Sequence, residues 1–191
     1  MSTEDFWKGE FGTDYTARNR VDYRARIPFW QHIVDVTGCT AYLDIGCNAG
    51  WNMRALRDIN AQFELSGVDV NLDALKEAQA EGFDVVEAPA DHVVQIFGPQ
   101  AAQMVVTSGV LIHVVPQDLK RTMTAIRDVS SQYVLAIEYD SPEEREIEYR
   151  GNTGKLGARP FGVLYEELGL SLVESGDAQG FDQCRYWLLE V

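Results

Sequence analysis

A glycine loop contains the first residues that could do chemistry. Gly46 and Gly50 bracket a tight turn that follows the short, mostly apolar stretch Ala41–Ile45, and a helical pattern starts at Trp51. Ala41–Ile45 has the length and composition of a buried parallel strand. A strand, a glycine loop and a helix present backbone N–H groups to a nucleotide-like ligand. Glycine is needed in such a loop because a side chain would hold the ligand away from the backbone.

The second chemical signal is Asp69, which ends the stretch Phe63–Asp69 about 20 residues after the glycine loop. A carboxylate at the tip of the second strand can accept both ribose hydroxyls. Dinucleotide loops usually show G-x-G-x-x-G, whereas here Gly46-x-x-x-Gly50 follows Asp44 by two residues. A plain strand–turn–helix connection is the alternative, and the position of Asp69 argues against it.

The acidic-x-Gly-x-x-x-Gly pattern resembles motif I of the class I S-adenosylmethionine-dependent methyltransferases. The resemblance implies an α/β fold of the Rossmann-like, doubly wound type, with a seven-stranded sheet and one antiparallel strand. It implies that S-adenosyl-L-methionine lies across the carboxyl ends of the first and fourth strands and leaves as S-adenosyl-L-homocysteine. The cofactor-binding residues that it implies are Asp44, Gly46, Cys47, Asn48, Gly50, Asn52, Asp69, Val70, Asp91, Ser108 and Gly109.

Asp91 has two interpretations. The resemblance implies that an acidic residue in the loop after the third strand takes the adenine amino group. The alternative is a helix cap for the segment that follows.

Further blocks resemble a small bacterial methyltransferase family associated with pseudaminic acid biosynthesis. These blocks are Phe6-Trp7-x-Gly-x-Phe11-Gly12-x-x-Tyr15-x-x-Arg18-Asn19, Gly46-Cys47-Asn48-x-Gly50-x-Asn52, Gly109-Val110-Leu111-Ile112-His113 and Tyr149-Arg150-Gly151. They span nearly the whole chain. A basic residue is expected near Ser108 and a histidine at Asn152, so these two positions depart from the family pattern and leave the acceptor open.

The remaining patterns predict the elements that hold these residues in place. Asp22–Thr37 is predicted to be a helix that Pro28 kinks or breaks. The further predicted helices and strands are Leu72–Glu81, Asp84–Glu87, Gln103–Thr107, Pro116–Val129, Tyr133–Glu138, Phe161–Leu168, Leu170–Ser175 and Gln183–Val191. We expect one methyltransferase domain over residues 1–191, in which residues 1–38 are an N-terminal lid segment and helix and residues 139–161 a substrate-side insert.

Two segments are candidates for the acceptor side. Residues 6–20 carry four aromatic residues, two glycines and several charges, a composition that predicts a non-helical segment folded over a ligand; an arm packed on the domain is the alternative. The insert carries four cations, which fit an anionic acceptor or pair with neighbouring glutamates: Arg145, Arg150, Lys155 and Arg159. The predicted acceptor-binding residues are Tyr15, Asn19, Tyr139, Tyr149 and Arg150, and the predicted catalytic residues are His113, Tyr15 and Glu138.

His113 follows the predicted fourth strand. It is either a half-buried structural histidine at a strand–helix junction or a general base for the acceptor. Methyl transfer from a sulfonium is an in-line displacement with a good leaving group, so the enzyme mostly supplies proximity and alignment. The chemistry requires no metal.

Composition restricts the partners. Thirty acidic residues against sixteen basic ones give a net charge of −14, which favours a small-molecule acceptor over nucleic acid. No apolar run approaches about 18 residues, so no membrane span is expected. The N-terminus has no signal-peptide pattern, and Cys39, Cys47 and Cys184 form no C-x-x-C pair, which predicts a cytoplasmic protein with reduced thiols. The sequence carries no signal for an oligomeric state.

Four other functions stay open at this stage. An RNA methyltransferase and a non-catalytic nucleoside-binding protein share the glycine loop. A nicotinamide oxidoreductase shares the fold but not the G-x-G-x-x-G pattern. A transferase that uses a carboxylated methyl donor has the same expected site.

Overall fold

The computed structural model describes residues 3–147 and 156–191. Within these ranges the strands are Ala41–Ile45 (β1), Glu64–Asp69 (β2), Asp84–Glu87 (β3), Ala102–Ser108 (β4), Ser130–Glu138 (β5), Arg145–Glu146 (β6), Gly157–Ala158 (β7), Ser171–Asp177 (β8) and Arg185–Glu190 (β9). The α-helices are Thr3–Lys8 (α1), Glu10–Arg18 (α2), Ile27–Thr37 (α3), Trp51–Ile59 (α4), Leu72–Ala80 (α5), Val93–Phe97 (α6), Pro116–Val129 (α7) and Phe161–Glu166 (α8).

Seven strands form one sheet in the order β3-β2-β1-β4-β5-β9-β8. The strands from β1 to β5 pair in parallel, and β9 runs antiparallel to both of its neighbours, β5 and β8. The predicted Rossmann-like sheet with one antiparallel strand is therefore confirmed. The strand order reverses between β1 and β4, which is where a doubly wound sheet leaves a crevice for a ligand.

Alternation along β1 divides the core between the two faces of the sheet. Leu43 and Ile45 join one apolar cluster, which includes Ile126 of α7. Tyr42 joins a second cluster, which includes Trp30 of α3. Because successive side chains of a strand point to opposite faces, this split follows from the sequence of β1. Both faces are covered, as a parallel sheet requires.

The N-terminal segment differs from its prediction, because it forms the two short helices α1 and α2. Trp7, Phe11 and Tyr15 recur every four residues, and the Trp7 ring packs edge-on against both others, at centroid distances of 5.4 and 5.2 Å. That aromatic stripe is a helical signal. It is interrupted by Gly9, which lies between the helices, and by Gly12, and both glycines lower the helix propensity of the segment.

The predicted helix Asp22–Thr37 is divided in two. A 3-10 turn covers Tyr23–Arg26, and α3 begins at Ile27. Pro28 lies in the first turn of α3, where its missing N–H has no partner to lose. The proline therefore starts the helix instead of kinking it. The other predicted boundaries differ from the structure by at most three residues.

In the part of the chain that the structure describes, no helix combines the length and the apolar content needed to cross a membrane. Among the same residues, no group of three or more His, Cys, Asp or Glu is arranged to hold a metal ion.

Candidate active site

A cavity of about 490 Å³ lies at the carboxyl edge of the sheet. Its wall includes residues that follow β1, β2, β3 and β4, beside the reversal of strand order. We call the part formed by Gly46, Cys47, Asn48 and Asp69 the glycine-loop wall, and the part formed by Trp7, Tyr15, Asn19 and His113 the lid wall.

Most of the predicted cofactor-binding residues lie in the cavity wall, although Asp44 and Gly50 do not. Asp44 is buried behind Asn52. Gly50 begins α4 and lies close to the ring of Phe83. The residues that the fold does bring together at the cavity are Gly46, Cys47, Asn48, Asn52, Asp69, Val70, Asp91, Ser108 and Gly109.

The predicted acceptor-side residues are only partly assembled. Tyr15 and Asn19 reach the cavity from α2 and its C-terminal cap, and His113 reaches it from the 3-10 turn Leu111–His113 after β4. Glu138 and Tyr139 are not part of the wall. The predictions for Tyr149 and Arg150 fall outside the described residues.

The glycine loop needs its first glycine for two reasons. Gly46 has a φ of +68°, which favours glycine over any residue with a side chain. A Cβ atom there would also lie 2.4 Å from Cγ2 of Val110, in the loop after β4. Two strand-end loops thus approach each other closely at Gly46. Asn48 is also left-handed, with a φ of +50°, and its Oδ1 accepts the Ala49 N–H at 2.8 Å.

Asp69 accepts hydrogen bonds from two loops at the cavity. Its Oδ2 accepts the backbone N–H of Asn48 at 2.8 Å, and its Oδ1 accepts that of Asn71 at 2.8 Å. Burial raises the pKa of Asp69, and the backbone N–H groups of Asn71 and Asn48 oppose that shift. Each carboxylate oxygen has two lone pairs, so each keeps acceptor capacity beyond these bonds. This geometry is suited to a pair of neighbouring hydroxyls, as in a ribose.

Asp44 lies behind the cavity wall and Asn52 lies in it, and Asn52 also bonds to Arg26, which no sequence signal indicated. The Nδ2 of Asn52 donates to Oδ2 of Asp44 at 3.3 Å, and its Oδ1 accepts from Nη1 of Arg26 at 2.8 Å. Burial raises the pKa of Asp44 to about 7, against the opposing effects of the Asn52 hydrogen bond and the Arg26 charge. Asp44 therefore orients Asn52 instead of facing the cavity. Arg26 itself lines the cavity, yet no motif marks it.

Asp91 faces the cavity and pairs with a helix residue. Its Oδ2 lies 2.8 Å from Nη2 of Arg121, which also bonds to Asp118 at 2.9 Å. Asp91 does not cap a helix: α6 begins after His92, and no side chain provides its cap. Four residues of α7, an amphipathic helix with no motif, line the cavity and were missed: Gln117, Asp118, Arg121 and Thr122.

Glu138, which was predicted to be catalytic, is not part of the cavity wall. It is fully buried, and its oxygens accept the backbone N–H groups of Val110 and Leu111 at 3.2 Å each and of Ile112 at 3.3 Å. Burial raises the pKa of Glu138 to about 7. The carboxylate therefore fixes the loop that carries Gly109 and His113. The sequence could not show this, because three backbone donors leave no residue pattern.

Tyr139 is also placed differently from its prediction. Its hydroxyl donates to Oδ2 of Asp182 at 3.2 Å, and burial, together with the smaller effect of the Asp182 charge, raises its pKa. This side chain is thus engaged by the loop between β8 and β9.

Arg159 is one of the four insert cations that were considered for an anionic acceptor. It is buried, and its Nε pairs with Oε1 of Glu144 at 3.0 Å while its Nη1 donates to the Leu111 carbonyl at 3.3 Å. The alternative interpretation, pairing with a neighbouring glutamate, therefore applies to Arg159. Together with Glu138, it holds the loop after β4 from two sides.

The N-terminal helices contact the same loops that form the glycine-loop wall. Nδ2 of Asn48 donates to Oγ1 of Thr16 at 2.9 Å, and Nδ2 of Asn71 donates to the Trp7 carbonyl at 3.0 Å. The Trp7 ring packs against the His113 ring at a centroid distance of 4.5 Å. These contacts hold α1 and α2 beside the cavity.

The part of the chain that contains the strand-end loops is similar to a known protein family. Residues 43–132, from within β1 to the start of β5, match a family model described as a methyltransferase domain. The matched range contains Gly46, Asp69, Asp91 and Ser108. No curated protein matches the sequence.

Solved structures share the fold over most of the chain. An S-adenosylmethionine-dependent methyltransferase from Archaeoglobus fulgidus is 14% identical, with 96% of this chain and 100% of that chain covered and a TM-score of 0.67. The 1,6-didemethyltoxoflavin-N1-methyltransferase of Burkholderia thailandensis, solved with 1,6-didemethyltoxoflavin and S-adenosylhomocysteine, is 16% identical, with 95% and 85% covered and a TM-score of 0.73.

A third solved structure is the magnesium protoporphyrin IX methyltransferase of Synechocystis PCC 6803 with bound S-adenosylmethionine. It is 13% identical, with 100% of this chain and 97% of that chain covered and a TM-score of 0.67. At these identities the likeness shows the fold. The family model adds that residues 43–132, just under half of the chain, are similar to a methyltransferase domain.

Proposed function

We propose that this protein transfers a methyl group from S-adenosylmethionine to a small molecule held between the glycine-loop wall and the lid wall. The observation that carries the proposal is that one cavity combines both walls. The glycine-loop wall offers close backbone and the Asp69 carboxylate, as a nucleoside requires. The lid wall offers aromatic rings and a histidine, which can enclose and orient an acceptor.

The cofactor residues divide by the part of S-adenosylmethionine that each would hold. Gly46, Cys47 and Asn48 would lie against the methionine part, and Asp69 would accept the ribose hydroxyls. Val70 and Asp91 would flank the adenine, with Asp91 held in place by Arg121 at 2.8 Å. The cofactor supplies the electrophilic methyl group when bound.

The acceptor residues would do three things. Trp7 and Tyr15 would exclude water from the methyl group. Asn19 would hold a polar group of the acceptor. His113 would orient the acceptor or take its proton, since a general base must lie within hydrogen-bond reach of that proton. Tyr15, with its phenol in the same wall, is the second candidate for that role.

The domain divisions are part of the proposal. Residues 1–38 would act as a lid, which the bonds from Asn48 and Asn71 to α2 and α1 support. Residues 139–161 would form the acceptor-side insert. A second small cavity, which shares His113, Val114 and Val115 with the main one and is bounded by Leu156 and Arg159, supports that position.

The acceptor class rests on charge, size and resemblance. A net charge of −14 disfavours nucleic acid. A cavity of about 490 Å³ is in the small-ligand range. The two substrate-named structural neighbours act on small molecules by their names. The resemblance to the pseudaminic-acid-associated family points to a nucleotide-linked or other anionic sugar. Tyr149 and Arg150 stay the predicted acceptor residues, and a cytoplasmic location stays a prediction.

Two measurements test this function. Calorimetric titration should show binding of S-adenosylhomocysteine, the product of transfer. Release of S-adenosylhomocysteine should then be followed with a panel of nucleotide sugars, small carboxylates and a structured RNA. Turnover with a small acceptor supports the proposal. Binding of S-adenosylhomocysteine without turnover of any compound in the panel points to a nucleoside-binding protein. Turnover confined to RNA points to the nucleic-acid alternative.

A further inference from the structure

Asn48 and Asn71 contact both Asp69 and the N-terminal helices α1 and α2, which we call the lid helices. Their backbone N–H groups donate to Oδ2 and Oδ1 of Asp69, respectively, at 2.8 Å each. The side-chain Nδ2 of Asn48 donates to Oγ1 of Thr16 in α2 at 2.9 Å. The side-chain Nδ2 of Asn71 donates to the Trp7 carbonyl in α1 at 3.0 Å. Each asparagine thus joins Asp69 to one lid helix.

Gly12 lets α2 come close to the second of these bonds. A Cβ atom at Gly12 would overlap the Trp7 carbonyl oxygen and lie 2.7 Å from Nδ2 of Asn71. Any side chain at this position would therefore push α2 away from the hydrogen bond between these two groups. Gly12 belongs to the N-terminal sequence block, and the proposed function leaves it without a role.

The lid helices are attached to the domain in a way that favours opening. Thr13 donates to Asp73 at 3.1 Å, and Arg20, which follows α2, forms two hydrogen bonds with Glu77; these pairs are exposed. Among the described residues, the apolar core clusters contain no residue of α1 or α2. Exposed polar pairs contribute little to stability, and segments outside the core open at low cost. We therefore expect the lid helices to open more readily than the sheet.

We infer that Asn48 and Asn71 are positioning residues that couple ligand binding at Asp69 to closure of the lid helices over the cavity. The inference rests on the proposed function, in which a nucleoside binds on the Asp69 side. A ligand bound to the Asp69 carboxylate orders the two loops whose amides hold the lid helices, so closing the lid then costs less conformational entropy. The part of the lid wall that α1 and α2 supply is therefore completed when the donor is bound.

Such a coupling is equal in both directions. If the ligand shifts the lid helices toward the closed state by a given factor, the closed lid helices strengthen ligand binding by the same factor. A contact that is only structural holds the lid equally with and without ligand. The ratio of lid opening without ligand to lid opening with ligand is therefore the quantity that separates coupling from packing.

Two variants remove these amide bonds from opposite sides of the interface. Asn71→Ser loses the donor to the Trp7 carbonyl, whereas serine still caps α5 as asparagine does, and the backbone N–H to Asp69 is kept. Thr16→Val removes the acceptor of the Asn48 amide from the lid side and leaves the glycine loop unchanged. Thr16 does not line the cavity, so this variant removes no cavity contact.

Hydrogen exchange of the backbone amides in residues 3–18 measures lid opening, with and without saturating S-adenosylhomocysteine. We expect the ligand to slow this exchange about tenfold in wild type, which is within the usual range of coupling between two sites. In each variant the protection should fall to about threefold. Calorimetry should then show affinity for S-adenosylhomocysteine weakened by the same remaining factor, about threefold, in each variant.

The matched controls are Asn60→Ser and Thr124→Val. Asn60 is an exposed asparagine at the end of α4. Thr124 lies in α7, and its hydroxyl donates to the Lys120 carbonyl at 2.8 Å, the same kind of bond within a helix that Thr16 makes in α2. Both residues lie outside the cavity wall. Each control should keep the tenfold protection and the affinity of wild type.

Two results would overturn the inference while leaving the proposed function in place. One is that bound S-adenosylhomocysteine gives the lid helices of wild type no protection from exchange. The other is that either variant keeps the full protection, whether or not its lid exchanges faster. Failure of wild type to bind S-adenosylhomocysteine would instead overturn the proposed function and this inference together.

Discussion

Two walls line the same cavity, and they are built in different ways. The glycine-loop wall uses backbone: Gly46 brings the chain close to Val110, and Asp69 receives two backbone N–H groups. The lid wall uses side chains from separate segments, with Trp7 from α1 packed on His113 from the loop after β4. Backbone at strand ends is fixed by the sheet, whereas a wall of side chains changes with every substitution. Substitutions should therefore alter the lid wall more readily than the backbone of the glycine-loop wall.

The largest effect is expected at Gly46, where the glycine-loop wall is most constrained. Gly46→Val adds atoms where a Cβ already meets Val110 at 2.4 Å, at a φ of +68°. We expect calorimetry to detect no binding of S-adenosylhomocysteine, with the α/β core still folded by circular dichroism.

Gly82→Val is the control for Gly46→Val. Gly82 has a φ of +87° but no atom within 4 Å of its would-be Cβ. This variant carries the backbone strain alone, on the order of 1–3 kcal/mol, and should bind normally. Normal binding by Gly46→Val would contradict the close approach of the glycine loop to the cofactor.

Glu138 bears on both walls because it binds the loop after β4, which carries His113 and lies close to Gly46. Its pKa is raised from an ordinary 4.5 to about 7 by burial, so the folded state retains a proton that the unfolded state loses. Stability should therefore fall as pH rises from about 4.5 to about 7, by roughly 3 kcal/mol, and then level off. Glu138→Gln cannot titrate and should lack this part of the slope.

Urea unfolding of wild type and Glu138→Gln between pH 4.5 and pH 8 measures the difference. Other buried acids, such as Asp44, add to the slope of both proteins, so the difference between the two curves isolates Glu138. The exposed Glu190 at the end of β9 provides the control Glu190→Gln. Parallel curves for wild type and Glu138→Gln would show that Glu138 does not bind a proton on folding.

Asp69→Ala tests the ribose assignment on the glycine-loop wall. We expect a loss of about 2–3 kcal/mol of cofactor affinity, the range for a charge-assisted hydrogen-bond partner. Part of that loss will come from the N–H groups of Asn48 and Asn71, which lose their acceptor. Asp73→Ala, an exposed carboxylate in the next helix, is the control. If calorimetry shows that Asp69→Ala binds the cofactor as tightly as wild type does, the ribose assignment is wrong.

The same contrast between walls explains what the sequence could predict. The sheet follows from short, mostly apolar strand segments, and the glycine-loop wall follows from a glycine spacing and a carboxylate at a fixed distance along the chain. Those signals are local, because parallel strands bring their carboxyl ends to one edge whatever the rest of the chain does. The motif did not indicate that Asp44 lies behind Asn52, since a motif specifies residue types but not their contacts.

The lid wall could be predicted only in part, because its contacts join residues far apart in sequence. The same holds for two cavity residues outside the lid wall: Arg26 bonds to Asn52, and Arg121 pairs with Asp91. Neither pairing leaves a spacing that a single sequence reveals. The N-terminal helices were missed for another reason: Gly9 and Gly12 lower helix propensity, and tertiary packing of the aromatic stripe overrides that preference.

Trp7→Ala is the smallest expected effect and tests whether the lid wall touches the acceptor. The Trp7 ring lines the cavity and lies 4.5 Å from the His113 ring. Its Nε1 atom is buried and has no hydrogen-bond partner among the described residues. We expect kcat/KM for the acceptor to fall about tenfold, near 1.4 kcal/mol, while affinity for S-adenosylhomocysteine stays within about threefold.

Phe11→Ala separates acceptor contact from lid packing. Phe11 packs against Phe6 and Trp7 in the same pair of helices but does not line the cavity. If the lid acts only by closing, Phe11→Ala and Trp7→Ala should lower kcat/KM equally, and deleting residues 2–20 should add little more. If Trp7 touches the acceptor, its variant should lose several times more activity than Phe11→Ala. Unchanged turnover after deletion of residues 2–20 would show that the N-terminal helices take no part in the reaction.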